Sequence, residues 1–133
     1  MSRRKAREVA FKVMFQVDQV QADPKTSFTY LLQETPLAEK DSAFSWELVS
    51  GCIQNLADID AAIARHSKDW RLERMSAVDR SLMRIAAYEI LFSENPQPVV
   101  AIDEAVEISK RYGEDNSSSF INAILDKIRG EKA

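Results

Sequence analysis

The sequence predicts an all-α fold, and three observations carry that reading. Glycine occurs only 3 times and proline 4 times in 133 residues, well below the roughly 7% and 5% of ordinary usage, so turn-rich β architectures lack their punctuation. Apolar residues recur at helical spacing through most of the chain. With 45% hydrophobic and 29% charged residues the chain can bury a core, and its length suits one domain over residues 1–133. No internal repeat or long linker divides it.

Residues 2–22 place Ala6, Val9, Ala10, Val13, Met14, Val17 and Val20 on one helical stripe. Phe11 and Phe15 lie off its centre, so either the apolar face is wide or a second surface meets another element. The run 22–26, with Asp23 and Pro24, breaks the pattern, and a short helix over 27–34 turns Phe28, Leu31 and Leu32 inward. Beyond Pro36, Asp41 is placed to cap a long helix. Phe44, Leu48, Val49, Cys52, Leu56, Ile59, Ile63 and His66 trace one of its faces, and only Gly51 interrupts it.

Trp70, Leu72 and Met75 read as an apolar connector. Ser76 and Asp79 have the spacing in which a hydroxyl and a carboxylate each satisfy an N–H group of a new helix, here over about 77–93. That helix is apolar nearly all round toward its end, which predicts a place in the middle of the fold, and Asn95-Pro96-Gln97-Pro98 stops it. The next, over about 100–112, presents Ile102, Val106 and Ile108, and Gly113 is expected to end it in a left-handed conformation. Its acids Asp103, Glu104 and Glu107 precede Lys110 and Arg111, the order that complements the helix dipole and needs no metal to explain it. A last helix over 117–129 turns Phe120, Ile121, Ile124, Leu125 and Ile128 inward, with Gly130 closing it.

Little in this sequence supports catalysis. The one His and the one Cys stand fourteen residues apart on one predicted helix, where Cys52 reads as a small core residue and His66 as a helix-end side chain. Zinc sites need about four Cys or His ligands and di-iron bundles need paired Glu-x-x-His motifs, and neither is present. The three glycines are isolated, so no phosphate-cradling loop can be assembled. No catalytic residue, cofactor or metal is expected. A single Cys and the lack of a signal-peptide or membrane-span pattern point to a cytoplasmic protein.

Binding remains. The formal charge is −3, yet at the start of the chain Arg3, Arg4, Lys5, Arg7 and Lys12 face one acid, Glu8. Such a basic cluster on an acidic body suits phosphate contact, although a solvated terminus would look the same. It also opposes the helix dipole, at a cost of about a few tenths of a kcal/mol. A second candidate is the run 115–122, where Asn116, Ser118, Ser119 and Asn122 gather at a helix N-terminus able to hold a phosphate or a base edge. Ordinary N-capping by Asp115 or Ser117 would account for it equally.

Taken together, three blocks resemble the NusB family of bacterial transcription antitermination factors. They are Arg3-Arg4-Lys5-Ala6-Arg7-Glu8, the run 78–89 (VDRSLMRIAAYE), and the run 100–107 (VAIDEAVE) continuing to 120–126 (FINAILD). The resemblance spans essentially the whole chain. It implies about seven helices in two packed helical subdomains and a non-enzymatic role: binding single-stranded boxA RNA of ribosomal RNA leaders with ribosomal protein NusE, within an antitermination complex on RNA polymerase. It assigns RNA contact to Arg3, Arg4, Lys5 and Arg7, and to Asn116, Ser118, Ser119, Phe120 and Asn122. Phe120 and Asn122 have the chemistry to stack on and hydrogen-bond exposed bases, though Phe120 would serve equally in the core.

The family commonly has a basic residue where Ser119 stands. Its partner surface carries onto Asp79, Arg80, Arg84, Tyr88 and Glu89, of which Arg80 and Arg84 could instead pair with the chain's own acids. Two rivals stand beside this reading. The RNA-binding domain of a ribosomal RNA cytosine methyltransferase would require a downstream catalytic part, which 133 residues do not accommodate. A helical adapter without intrinsic RNA binding would keep the fold alone.

Overall fold

A computed structural model describes residues 2–132, so Met1 and Ala133, the ends of the expected domain, lie outside the described residues. Seven α-helices follow one another, with no strand among those residues. The first, α1 (Ser2–Val20), buries Ala6, Val9, Ala10, Val13 and Met14 as the stripe requires. Phe11 is buried as well and Phe15 packs against the core, so the wide apolar face is the realised alternative. Val20, at 69% exposure, has run past the core.

The helix ends on Gln21, whose φ of 52° is the left-handed conformation that glycine adopts at least cost. Its N–H donates to the Val17 carbonyl at 3.1 Å, which satisfies the helix end. Gln21→Gly is therefore expected to stabilise the protein by about 0.5–1 kcal/mol, read as an upward shift of the urea midpoint. An unchanged or lowered midpoint would show that the backbone carries no such strain.

Asp23 caps α2 (Pro24–Glu34), accepting hydrogen bonds from the Thr26 N–H at 3.0 Å and hydroxyl at 2.8 Å, and Pro24 takes the first turn. Those two bonds hold the Asp23 carboxyl below its usual range. In α3 (Glu39–Gln54) Asp41 lies inside the first turn, not at the cap, which is Ala38. The expected long helix is two. At Asn55 the backbone N–H and the side-chain amide both donate to the Gly51 carbonyl, at 3.0 and 2.9 Å, and the chain turns into α4 (Leu56–Arg65). The apolar spacing continues across this break, so periodicity could not reveal it.

A 3-10 turn (Leu72–Arg74) leads to α5 (Ala77–Leu91), where the Ser76 hydroxyl accepts from the Asp79 N–H at 3.0 Å. The carboxylate half of that expected pair is not made: Asp79 Oδ1 is buried without a hydrogen-bond partner. Every residue from 81 to 90 is buried, as a helix at the centre of the molecule requires. Pro98 opens α6 (Pro98–Tyr112). At Gly113 the φ of −96° is not left-handed; glycine serves there because a Cβ would lie 2.6 Å from the Ser117 hydroxyl. Gly130 does not close α7 (Ser117–Lys132) but lies within it, in open space.

Helices α1, α2 and α3 pack on one another, and α4, α6 and α7 gather around α5 as a second group. The two groups join where α1 and α3 lie against α5. Glu131 ties the ends of α7 and α4 together, accepting from Arg65 at 2.9 Å and lying beside His66.

Candidate nucleic-acid interface

The basic start of α1 divides by helical geometry. Arg3 and Arg7 are one turn apart and both face α3, their guanidinium carbons 4.1 and 5.1 Å from the centre of the Phe44 ring. Arg3 is half exposed, and its nearest carboxylate, Asp41, is 3.8 Å away, beyond hydrogen-bond reach. Arg4 turns to α6 and makes a two-pronged pair with Glu104 at 2.8 and 2.9 Å, with half of its side chain still exposed. Those hydrogen bonds, helped by the Arg4 charge, hold the Glu104 carboxyl low against the burial that would raise it.

Lys5 is exposed and makes no hydrogen bond or ion pair among the described residues. Arg7 differs from its neighbours: it is 8% exposed and forms a two-pronged pair with Glu89 of α5, at 2.8 and 2.9 Å. Two of the Arg7 donors are thus spent on a buried carboxylate, which leaves it less to offer an RNA phosphate than Arg3 or Lys5 has. Its charge is countered at contact distance and its side chain is mostly buried.

Arg3, Arg4 and Arg7 border a groove of about 1120 Å³ between the start of α1, α3, the end of α5 and the turn before α6. Phe44, Tyr88 and Phe92 supply its aromatic walls. Gly51 permits this arrangement: a Cβ there would lie 2.2 Å from the Tyr88 ring. The Tyr88 hydroxyl donates to Glu47 at 3.0 Å, and burial, together with that bond, pushes its pKa up to about 12.

The second predicted region stands at the start of α7. Asn116, Ser119 and Asn122 are exposed, and the Ser119 hydroxyl donates to the Asn116 carbonyl at 3.2 Å. Ser118 turns inward to share a hydrogen bond with Ser109 of α6 at 2.8 Å. Ser117 is buried and its hydroxyl accepts from the Glu114 N–H, so it closes the preceding turn. Phe120 is partly buried and meets the ring of Trp70 edge to face, with centroids 6.4 Å apart. Trp70 is 54% exposed, and reading it as a connector residue missed it. The clue available was a large aromatic between Lys68 and Arg71. The two regions flank α6, whose Glu104 holds Arg4 and whose Ser109 holds Ser118, about 7.5 Å apart along the axis.

The chain matches the NusB family over residues 4–129. It belongs to the NusB family. The transcription antitermination protein NusB of Syntrophomonas wolfei is 63% identical over 132 residues, covering 99% of this chain and 98% of that one. That of Desulfatibacillum aliphaticivorans is 46% identical, over 95% and 88% of the two chains. Among solved structures, T. maritima NusB superposes with a TM-score of 0.89 at 40% identity, covering 97% of this chain and 91% of that one. A crystal structure of antitermination factors NusB and NusE in complex with dsRNA shares the fold, with a TM-score of 0.90 at 23% identity over 98% and 97% of the chains. Transcription antitermination is the function that membership of the NusB family carries.

Within this NusB fold four of the five α5 residues expected to meet a partner, Arg80, Arg84, Tyr88 and Glu89, are engaged by the chain's own groups. Arg80 donates to Asp18 at 2.6 Å and to the carbonyls of Leu72 and Met75. Arg84 makes a two-pronged pair with Asp60 at 2.9 Å and reaches Asp18 at 3.2 Å. Tyr88 and Glu89 are held by Glu47 and Arg7, and Asp79 is buried. The alternative of internal pairing is the realised one for Arg80 and Arg84. The physical reason is the central place of α5, which leaves it no wide solvent-facing side. Among the described residues no helix is long and apolar enough to cross a membrane, and no group of three or more His, Cys, Asp or Glu is placed to hold a metal ion.

Proposed function

We propose that this chain acts in antitermination by binding single-stranded boxA RNA of ribosomal RNA leader transcripts together with ribosomal protein NusE, in a complex on RNA polymerase. The observation that carries this reading is the first turn of α1. Arg3 and Lys5 offer cationic donors with no hydrogen-bond partner among the described residues, on a chain whose formal charge is −3. Arg4 joins them with its exposed half, while Arg7 orders the turn from behind through Glu89. Asn116, Ser119, Phe120 and Asn122 extend the path across α6, where exposed amides and ring edges suit unpaired bases. A protein of the same fold in complex with NusE and dsRNA supports NusE and RNA as partner classes.

The test is a titration of fluorescent boxA RNA and a scrambled control, with and without NusE, over a series of salt concentrations. Two or three phosphate contacts at about 0.7 each predict a log–log salt slope of about −1.4 to −2.1. NusE is expected to tighten boxA binding selectively. Reversing charge at Arg3 and Lys5 together is expected to weaken RNA binding about tenfold or more and to leave NusE binding intact. Equal, weak binding of both RNAs with or without NusE would replace this reading with an adapter that lacks intrinsic RNA binding, a role favoured by the neutralised Arg4 and Arg7.

A further inference from the structure

The groove beside the first turn of α1 carries more than phosphate-binding chemistry, and we infer that it holds one unpaired nucleotide of the bound RNA, its base stacked on Phe92. This inference rests on the RNA-binding reading above. Phe92 caps the end of α5, is 37% exposed and lies nearly parallel to Tyr88, with 22° between the rings and 6.4 Å between centroids. Tyr88 is fixed from both sides, by its hydrogen bond to Glu47 and by Gly51 beneath the ring. The pair is a flat, pre-ordered aromatic surface that opens into the groove. Such surfaces bind bases with little regard to sequence, because every base has a π-face.

The polar lining suits the rest of a nucleotide. Gln54, Asn95 and Gln97 face the groove, and among the described residues none makes a side-chain hydrogen bond, so their amides can meet a base edge. Arg3 stands over Phe44 at the mouth with its donors uncommitted, where a backbone phosphate would approach. The lining carboxylates Glu47, Glu89 and Glu104 are engaged by Tyr88, Arg7 and Arg4, which leaves Glu94 as the unpaired acid. An apolar peptide would fit less well, because uncommitted amides and a guanidinium interrupt the aromatic walls.

The probe is a 12-nucleotide fluorescent boxA RNA, titrated onto the full chain over the same salt series. Phe92→Ala is expected to weaken binding about 5- to 150-fold with the salt slope unchanged, since stacking releases no counterions. Phe92→Trp restores it. Asn95→Ala and Gln97→Ala together weaken binding less, again at constant slope, whereas Arg3→Ala lowers the slope by about 0.7. A helix-end ring at 37% exposure can be removed with small structural consequence, which circular dichroism and thermal unfolding check.

Should Phe92→Ala fail to fold, photo-cross-linking of 4-thiouridine-substituted RNA to the unaltered protein decides: cross-links are expected within residues 88–97. Cross-links confined to the starts of α1 and α7 overturn the inference. So does a folded Phe92→Ala protein that binds RNA within twofold of the original, which leaves the RNA-binding reading standing. Loss of NusE binding with RNA binding unchanged would give the groove to a protein partner instead. An unaltered chain that binds no single-stranded RNA at any salt concentration defeats both readings.

Discussion

Arg7→Ala is expected to cost about 3–5 kcal/mol of folding stability, roughly a fifth or more of what a typical domain has. The Arg7 and Glu89 side chains are 10% and 9% exposed and meet through two parallel hydrogen bonds, so truncation leaves a carboxylate buried without a counter-charge. The pair joins α1 to α5, the junction between the two helical groups. Because much of the cost is the stranded charge, Arg7→Met combined with Glu89→Leu should recover most of it. Arg7→Lys should recover only part, as an ammonium cannot make the two-pronged bond. Urea unfolding followed by far-ultraviolet circular dichroism measures all three. A loss below about 1 kcal/mol for Arg7→Ala would mean that the pair behaves as a surface salt bridge. The double variant also separates stability from recognition: its RNA salt slope is expected to equal that of the unaltered protein, because the Arg7 charge is already countered by Glu89.

Asp18→Asn is expected to destabilise by about 2–4 kcal/mol and to flatten the acid limb of the stability curve. Asp18 accepts from Arg80 at 2.6 Å and from Arg84 at 3.2 Å, both 11% exposed, while Asp60 takes the other edge of Arg84. Neutralising Asp18 leaves Arg80 without a carboxylate and Arg84 with Asp60 alone, and Arg80 also anchors the connector through the carbonyls of Leu72 and Met75. Burial alone would raise the Asp18 pKa. The hydrogen bonds from Arg80 and Gln19 and the two Arg charges outweigh it and hold the carboxyl below its ordinary 3.8.

A carboxyl depressed in the folded state contributes stability above its unfolded pKa and loses it as pH falls through the folded one. The unaltered protein should therefore lose this contribution below about pH 4, whereas Asp18→Asn, having no charge to lose there, should show a shallower decline. Denaturant midpoints across pH 7 to the acid limit measure it. Parallel acid limbs for the two proteins would remove Asp18 from the account.

Most of the helices were legible because their signals are local. The Ser76 cap and the stripe from Ala6 to Met14 each depend on neighbours within a turn or two, and they stand as read, whereas α2 begins at Pro24 under an Asp23 cap, three residues before the expected start at Ser27. Periodicity alone marks six helices, and the resemblance to the NusB family implies about seven. The difference is Asn55, which takes over the Gly51 carbonyl without disturbing the apolar register. Gly113 and Gly130 misled for a related reason: one is required by the nearness of Ser117 and the other by nothing around it.

By itself, then, the sequence determined the all-α class, the order of the helices, the burial of α5 and the basic start of α1. Only the tertiary structure decided which of those cations remain available. Arg4 meets Glu104 across 100 residues and Arg7 meets Glu89 across 82, while Lys5, between them, meets neither. The same holds for Phe92, an ordinary apolar helix-end residue until Tyr88, Gly51 and Arg3 are set around one groove. Helical periodicity says which way a side chain points relative to its own axis. Its charge partner and its exposure depend on how the axes pack, which the long-range contacts settle.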